Sequence, residues 1–260
     1  MTGVAPFLTV AMLMPLAVLS APAQVRDANA VLAPSRERIE TADYRASGHL
    51  VRIDENKVRT SYSINIKAHW FPGVLRALVE VTSPVQARMH ILLEMRPNGK
   101  STIQIARPGD ALPVALPFEK WKEGPLGTGF SYEDFLETQY YWSRQTVLEK
   151  KKFGARDCNV LSSIPGAGDK THYSEVKTWF DQSIGFPVYV EKTLLGGTVK
   201  EVTYFGLRHT GGVWSASQIE TKTRGHAGSS LLILDRGTAK ANLSAKDFSP
   251  AELTHFQDSK

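Results

Sequence analysis

Three neighbouring stretches of this chain alternate apolar and polar residues with a period of two. From Tyr62 to Trp70, Tyr62, Ile64, Ile66, Ala68 and Trp70 share one face, and Ser63, Asn65, Lys67 and His69 take the other. After Pro72-Gly73, Leu75, Ala77, Val79 and Val81 alternate with Arg76, Leu78 and Glu80. A third stretch sets Val85, Ala87, Met89, Ile91, Leu93 and Met95 against Gln86, Arg88, His90, Leu92, Glu94 and Arg96. This pattern predicts strands with one dry face and one wet face, and it puts His69 and His90 at the surface. Pro97-Asn98-Gly99 predicts a hairpin turn into a strand through Ile103 and Ile105.

Strands are predicted again at about 143–153, 156–164, 171–180, 186–195, 199–208, 213–223 and 229–236, most of the later ones joined by glycine turns. Such spacing predicts an antiparallel meander. The pattern is less clean here, because Tyr173, Val176, Trp179 and Phe180 put apolar residues on both faces.

A one-faced sheet of this size must cover its apolar side or close on itself. The prolines at 108, 113, 117 and 125 predict an irregular passage with one short strand at most, near Val114. Gly124 to Trp142 then reads as the longest helix. Ser131 and Asp134 form a capping box, and Phe130 and Phe135 stand where a hydrophobic staple would fix the entry angle. Glu133 and Asp134 add first-turn charge that suits the helix dipole. Glycines at 124, 127 and 129 hinge the approach, so this element is expected to plug or cover the sheet. A thinner helix is predicted from Ser35 to about Arg45, after a loose stretch over 24–33. Phe248 to Leu253 predicts a short closing turn.

Composition narrows the function. The chain has 260 residues, 42% of them hydrophobic, and one domain can hold that many in an all-β fold. The net charge of +5 is spread out, and no basic face with interleaved aromatics points to nucleic acid. Met1 to Ser20 lacks a charged side chain, Phe7 to Leu19 is nearly all apolar, and Ala21-Pro22-Ala23 fits a cleavage pattern. Residues 1–23 are therefore read as a signal peptide cut after Ala23, with an uncleaved anchor as the alternative. The expected mature protein is exported and periplasmic, one domain over 24–260. Cys158, the only cysteine, cannot form an internal disulfide and reads as a small buried hydrophobe. No nucleophile elbow, phosphate loop, dinucleotide fingerprint or zinc-protease motif occurs, and the seven histidines are isolated in sequence. No catalytic residue, metal ligand or cofactor is expected.

The run Phe130-Ser131-Tyr132-Glu133-Asp134-Phe135 resembles a bacterial family of outer-membrane lipoprotein-sorting proteins, similar to the periplasmic carrier LolA. The downstream order agrees: Cys158-Asn159-Val160-Leu161 leading to Pro165, then Tyr173 to Asp181, then Pro187 opening a strand. The resemblance covers about residues 40–250. It implies a mainly β, α+β fold: an antiparallel half-barrel sheet wrapped around covering helices. It also implies a monomeric carrier whose apolar hollow shelters acyl chains of a lipid or lipoprotein. An RND-type transporter or an outer-membrane acceptor is the implied partner.

On this reading Met89 and Met95 give the hollow adaptable lining. Trp70, Phe130, Tyr132, Phe135, Tyr140 and Trp142 stand near its mouth, with the Gly124–Trp142 element as lid. Ordinary core packing is the more common explanation of each of these aromatics and of each methionine. A scaffold with a filled core that acts through its surface is the competing reading.

Overall fold

The structure, a computed structural model, describes residues 27–97 and 99–256. The expected signal peptide and its cleavage point lie outside the described residues, as does Asn98 of the predicted turn. Helix α1 (Ala28–Glu40) comes first, followed by β1 (Asp43–Ile53), β2 (Arg59–Phe71), β3 (Val74–Ser83), β4 (Met89–Met95), β5 (Thr102–Ala106) and β6 (Val114–Ala115). After a long crossing segment come β7 (Arg144–Phe153), β8 (Arg156–Ile164), β9 (Tyr173–Asp181), β10 (Pro187–Leu194), β11 (Val199–Thr210), β12 (Val213–Thr223) and β13 (Ser229–Ala239). Helix α2 (Pro250–Thr254) is last.

The strands form one antiparallel sheet in the order β6-β5-β4-β3-β2-β1-β13-β12-β11-β10-β9-β8-β7. It is two meanders joined where the first strand pairs with the last, and it stays open between β6 and β7. Both edges are protected against pairing with another chain. β6 is two residues long between Pro113 and Pro117, and β7 carries Lys150, Lys151 and Lys152. The sheet curls strongly. The turn after β4 meets the loop after β8, with Gly168 O only 3.0 Å from where a side chain on Gly99 would begin.

The inner face is the predicted dry one. Tyr62, Ile64, Ala68, Ala77, Val81, Met89, Ile91, Leu93, Met95, Ile103 and Ile105 are buried in one core there. The outer face of the first meander departs from the expected wet face. Leu78, Leu92 and Ala106 are buried under Leu243, Phe248 and Leu253 of the C-terminal segment. His90, expected at the surface, is buried too: Nδ1 lies 2.8 Å from Leu253 O, and Phe256 stacks on the ring at 4.1 Å. Ion pairs from Lys67 to Glu252 (2.6 Å) and Arg45 to Asp247 (2.7 Å) fasten the brace.

Two elements have other bounds than the sequence reading gives them, and one strand is new. The first helix starts seven residues earlier than Ser35, within the stretch expected to be loose, because Asp27 caps it by accepting from Asn29 N–H at 3.0 Å, and it ends at Glu40 rather than about Arg45, which lies in β1. The third strand begins at Met89 rather than Val85, since Pro84 ends the ladder and Val85–Ala87 makes a 3-10 turn. β1 was not anticipated. Its inner positions run Ala46, Gly48, Leu50, opposite Ile66, Ile64 and Tyr62, and the small residues hide the alternation. Gly48 sits at a bulge against β13 where any side chain would strike Ile233 O.

Candidate functional site

Residues 116–143 connect the two meanders, so they must travel from the β6 edge to the β7 edge. They do so across the inner face, touching the strands almost in sheet order. Leu116 N–H bonds Ile103 O of β5 (2.8 Å), and Tyr62 of β2 reaches Leu126 O (3.4 Å). Gly129 N–H donates to Ser230 Oγ of β13 at 2.8 Å. Asp134 meets β10 and β11, and the Tyr140 ring lies 5.9 Å from that of Phe180 on β9.

The expected single helix is absent. Three 3-10 turns take its place, Pro125–Gly127, Tyr132–Leu136 and Thr138–Tyr141, and a fourth, Phe118–Lys120, precedes them. The predicted entry is correct. Ser131 N–H donates to Asp134 at 2.7 Å within a capping box, and the Phe130 and Phe135 rings meet at 5.6 Å. Helix propagation fails at Glu137, which adopts a left-handed backbone (φ 49°). Its carboxylate is held there by both bonds from Arg38 Nη2 of α1, at 3.0 and 2.8 Å. Arg36 Nε donates to Tyr140 O at 2.9 Å. Two arginines of α1 thus hold the last part of the segment.

The central fastening is a buried charge cluster. Asp134 accepts from Lys192 Nζ and the Tyr173 hydroxyl at 2.8 and 2.7 Å on Oδ1, and from Lys200 Nζ on Oδ2. Ser131 Oγ lies 3.0 Å from the Tyr173 oxygen. The side chains of Asp134, Lys192 and Lys200 are 4%, 5% and 8% exposed. Burial pushes the Asp134 carboxyl up, but the two ammonium groups overcome this and hold it well below the usual carboxylate range. Beside it, Glu133 bonds His172 N and lies 3.3 Å from His172 Nδ1, while Oε1 is buried without a partner. Burial pushes Glu133 up, partly offset by His172. The His172 ring also stacks on Phe118 at 4.1 Å, and Lys170 covers the rings of Phe118 and Trp121.

The sequence-predicted residues fall into three groups. Met89 and Met95 are buried in the wall, and Trp70 is half-buried beside them. Phe130, Tyr132 and Tyr140 are buried with that wall, and Phe135 is half-buried against it. Trp142 belongs to another cluster, with Tyr173, Val176, Val190 and Val202. Trp121 and Leu136 are buried in the same core. Phe130, Tyr132, Tyr140 and Trp142 are all buried, with Tyr140 wholly inaccessible.

Sequence reasoning missed Lys192 and Lys200, although a signal exists. Each occupies an inward position in an apolar alternation: Val190-Lys192-Leu194 and Lys200-Val202-Tyr204. A lysine at such a position needs a buried partner. Among the described residues, no group of three or more His, Cys, Asp or Glu side chains could hold a metal ion.

Comparison with known proteins gives the fold a family. Residues 76–255, well over half of the chain, match the profile of a family described as "Uncharacterized protein". No curated protein sequence matches. Among solved structures, a domain from Vibrio parahaemolyticus described as an outer membrane lipoprotein-sorting protein superposes with a TM-score of 0.78. It is 18% identical and covers 88% of this chain and 100% of its own. A DUF1329 family protein from Desulfovibrio piger gives 0.77 at 13% identity, covering 87% and 97%. A LolA superfamily protein from Nitrosomonas europaea gives 0.68 at 16%, covering 87% and 99%. The chain belongs to that family, and its open, curled antiparallel sheet is the fold of the LolA-like lipoprotein-sorting proteins.

Proposed function

We propose that this protein is a periplasmic carrier. It shelters the acyl chains of a lipid or lipoprotein on the inner face of the sheet, with residues 118–142 as a lid that loosens to admit them. One observation carries the reading: an apolar wall is covered by a separate layer, tied down through discrete polar contacts. Arg36, Arg38, Lys192, Lys200 and His172 hold that layer, and none of them belongs to it. Acyl burial releases about 0.8 kcal/mol per CH₂, so a long chain can replace the aromatic contacts that it displaces. The described state is the closed one. Cargo would come from, or pass to, an outer-membrane acceptor or an RND-type export system, and the carrier would act as a monomer.

Native mass spectrometry of the mature protein, from Gln24 onward, tests this. A co-purifying species of lipid mass is expected, and Phe135→Glu should lose it. Arg38→Ala removes one fastening and should speed uptake of a fluorescent fatty-acid probe several-fold. A bare mass with no uptake by either form would overturn the carrier. It would favour the scaffold reading, which the burial of Trp121, Leu136 and Tyr140 in the core against the wall supports.

A further inference from the structure

The cluster around Asp134 is unbalanced. Two lysines from neighbouring strands point into an apolar hollow and share one carboxylate, all three nearly inaccessible to water. The neighbouring acid in the sequence, Glu133, is turned to His172. Burying two ammonium groups is expensive, and sheet stability gives no reason for them, since apolar residues of similar size serve as well or better. The carboxylate that satisfies them belongs to the lid rather than the wall. Both its oxygens are taken up, by Lys192 and Tyr173 on one side and Lys200 on the other. Moving the lid would leave Lys192, Lys200 and Tyr173 as three donors on the wall, spaced to grip one oxyanion.

We infer that Lys192, Lys200 and Tyr173 form a receptor for a carboxylate or phosphate headgroup, which the lid residue Asp134 occupies as a built-in substitute until cargo displaces it. The inference rests on the carrier reading and deepens it. An acyl chain lies along the apolar wall while its anionic head replaces Asp134. The lysines then keep a partner in both states, and the lid loses its main fastening only when a charged head arrives. A neutral lipid would have to leave both cations unpaired.

The test compares binding of dodecanoate and its methyl ester to the mature protein, with acetate and inorganic phosphate as chainless competitors. A second protein, the charge-free variant Asp134→Asn/Lys192→Met/Lys200→Met, is checked for folding by thermal melting. Unmodified protein should prefer dodecanoate by about tenfold or more, the scale of a hydrogen-bonded charged group. In the variant that ratio should collapse to about one. Competition by acetate or phosphate at similar concentrations would give the same receptor to a free anion instead of a lipid head. Equal binding of acid and ester by unmodified protein, or a ratio that survives in the variant, would overturn the headgroup receptor and leave the carrier standing. Binding of neither probe would overturn both.

Discussion

The two meanders of one sheet solve the same problem differently. β1–β6 present an almost wholly apolar inner wall and hide part of their outer face under the C-terminal brace. β7–β13 carry charge inward, at Lys192 and Lys200, and hold the crossing segment through it. Packing is tolerant of a partner's shape, whereas a buried charge accepts only a partner of opposite sign in the right place. One half therefore supplies area and the other supplies register.

Removing charge from the second meander is the harshest way to break this comparison. Asp134→Ala leaves two buried ammonium groups unpaired and should cost about 3–5 kcal/mol, seen as a lowered midpoint in thermal unfolding. A loss under 1 kcal/mol would mean that the lysines find water and that the cluster fastens nothing. In the first meander, Leu78→Ala opens a void beneath the brace and should cost about 2–5 kcal/mol. Hydrogen exchange should then rise in residues 243–256 and stay unchanged in 118–142. Exchange spreading to the crossing segment would erase the distinction between the two halves.

The smallest effect sharpens the electrostatic side. Burial raises Glu133, so its contribution is fully present below the unfolded value of about 4.3 and is lost as pH rises through the folded one. Asp134 behaves oppositely: held far down, its contribution is complete above the unfolded value of about 3.9 and is lost as pH falls from there through the folded one. Glu133→Gln should therefore gain on the unmodified protein as pH rises from 4 to 7, by about 1 kcal/mol or less. Parallel melting curves across that range would show that Glu133 does not feel its burial.

Most strands of both meanders could be read from the chain because a half-buried strand writes its environment every second residue. The wall of Tyr62, Ile64, Met89 and Met95 came from that rule alone. The entry to the crossing segment was equally legible, since a cap and a staple are local. Its continuation was not: Glu137 leaves the helical path because of Arg38, about a hundred positions away, and no local propensity records that contact. The same holds for Leu78, Leu92 and His90, whose burial depends on Leu243, Phe248 and Leu253. Lys192 and Lys200 differ, because their inward parity was visible and only the partner was hidden.

The order in which the crossing segment meets the strands has a mechanical consequence. Its ends belong to the two outermost strands, so it is a strap fastened at both rims of a trough. A strap of this kind can slacken but cannot swing clear, and it bars sideways escape however loose it becomes. Anything held between strap and wall must enter and leave lengthwise, like a rod drawn through a belt loop.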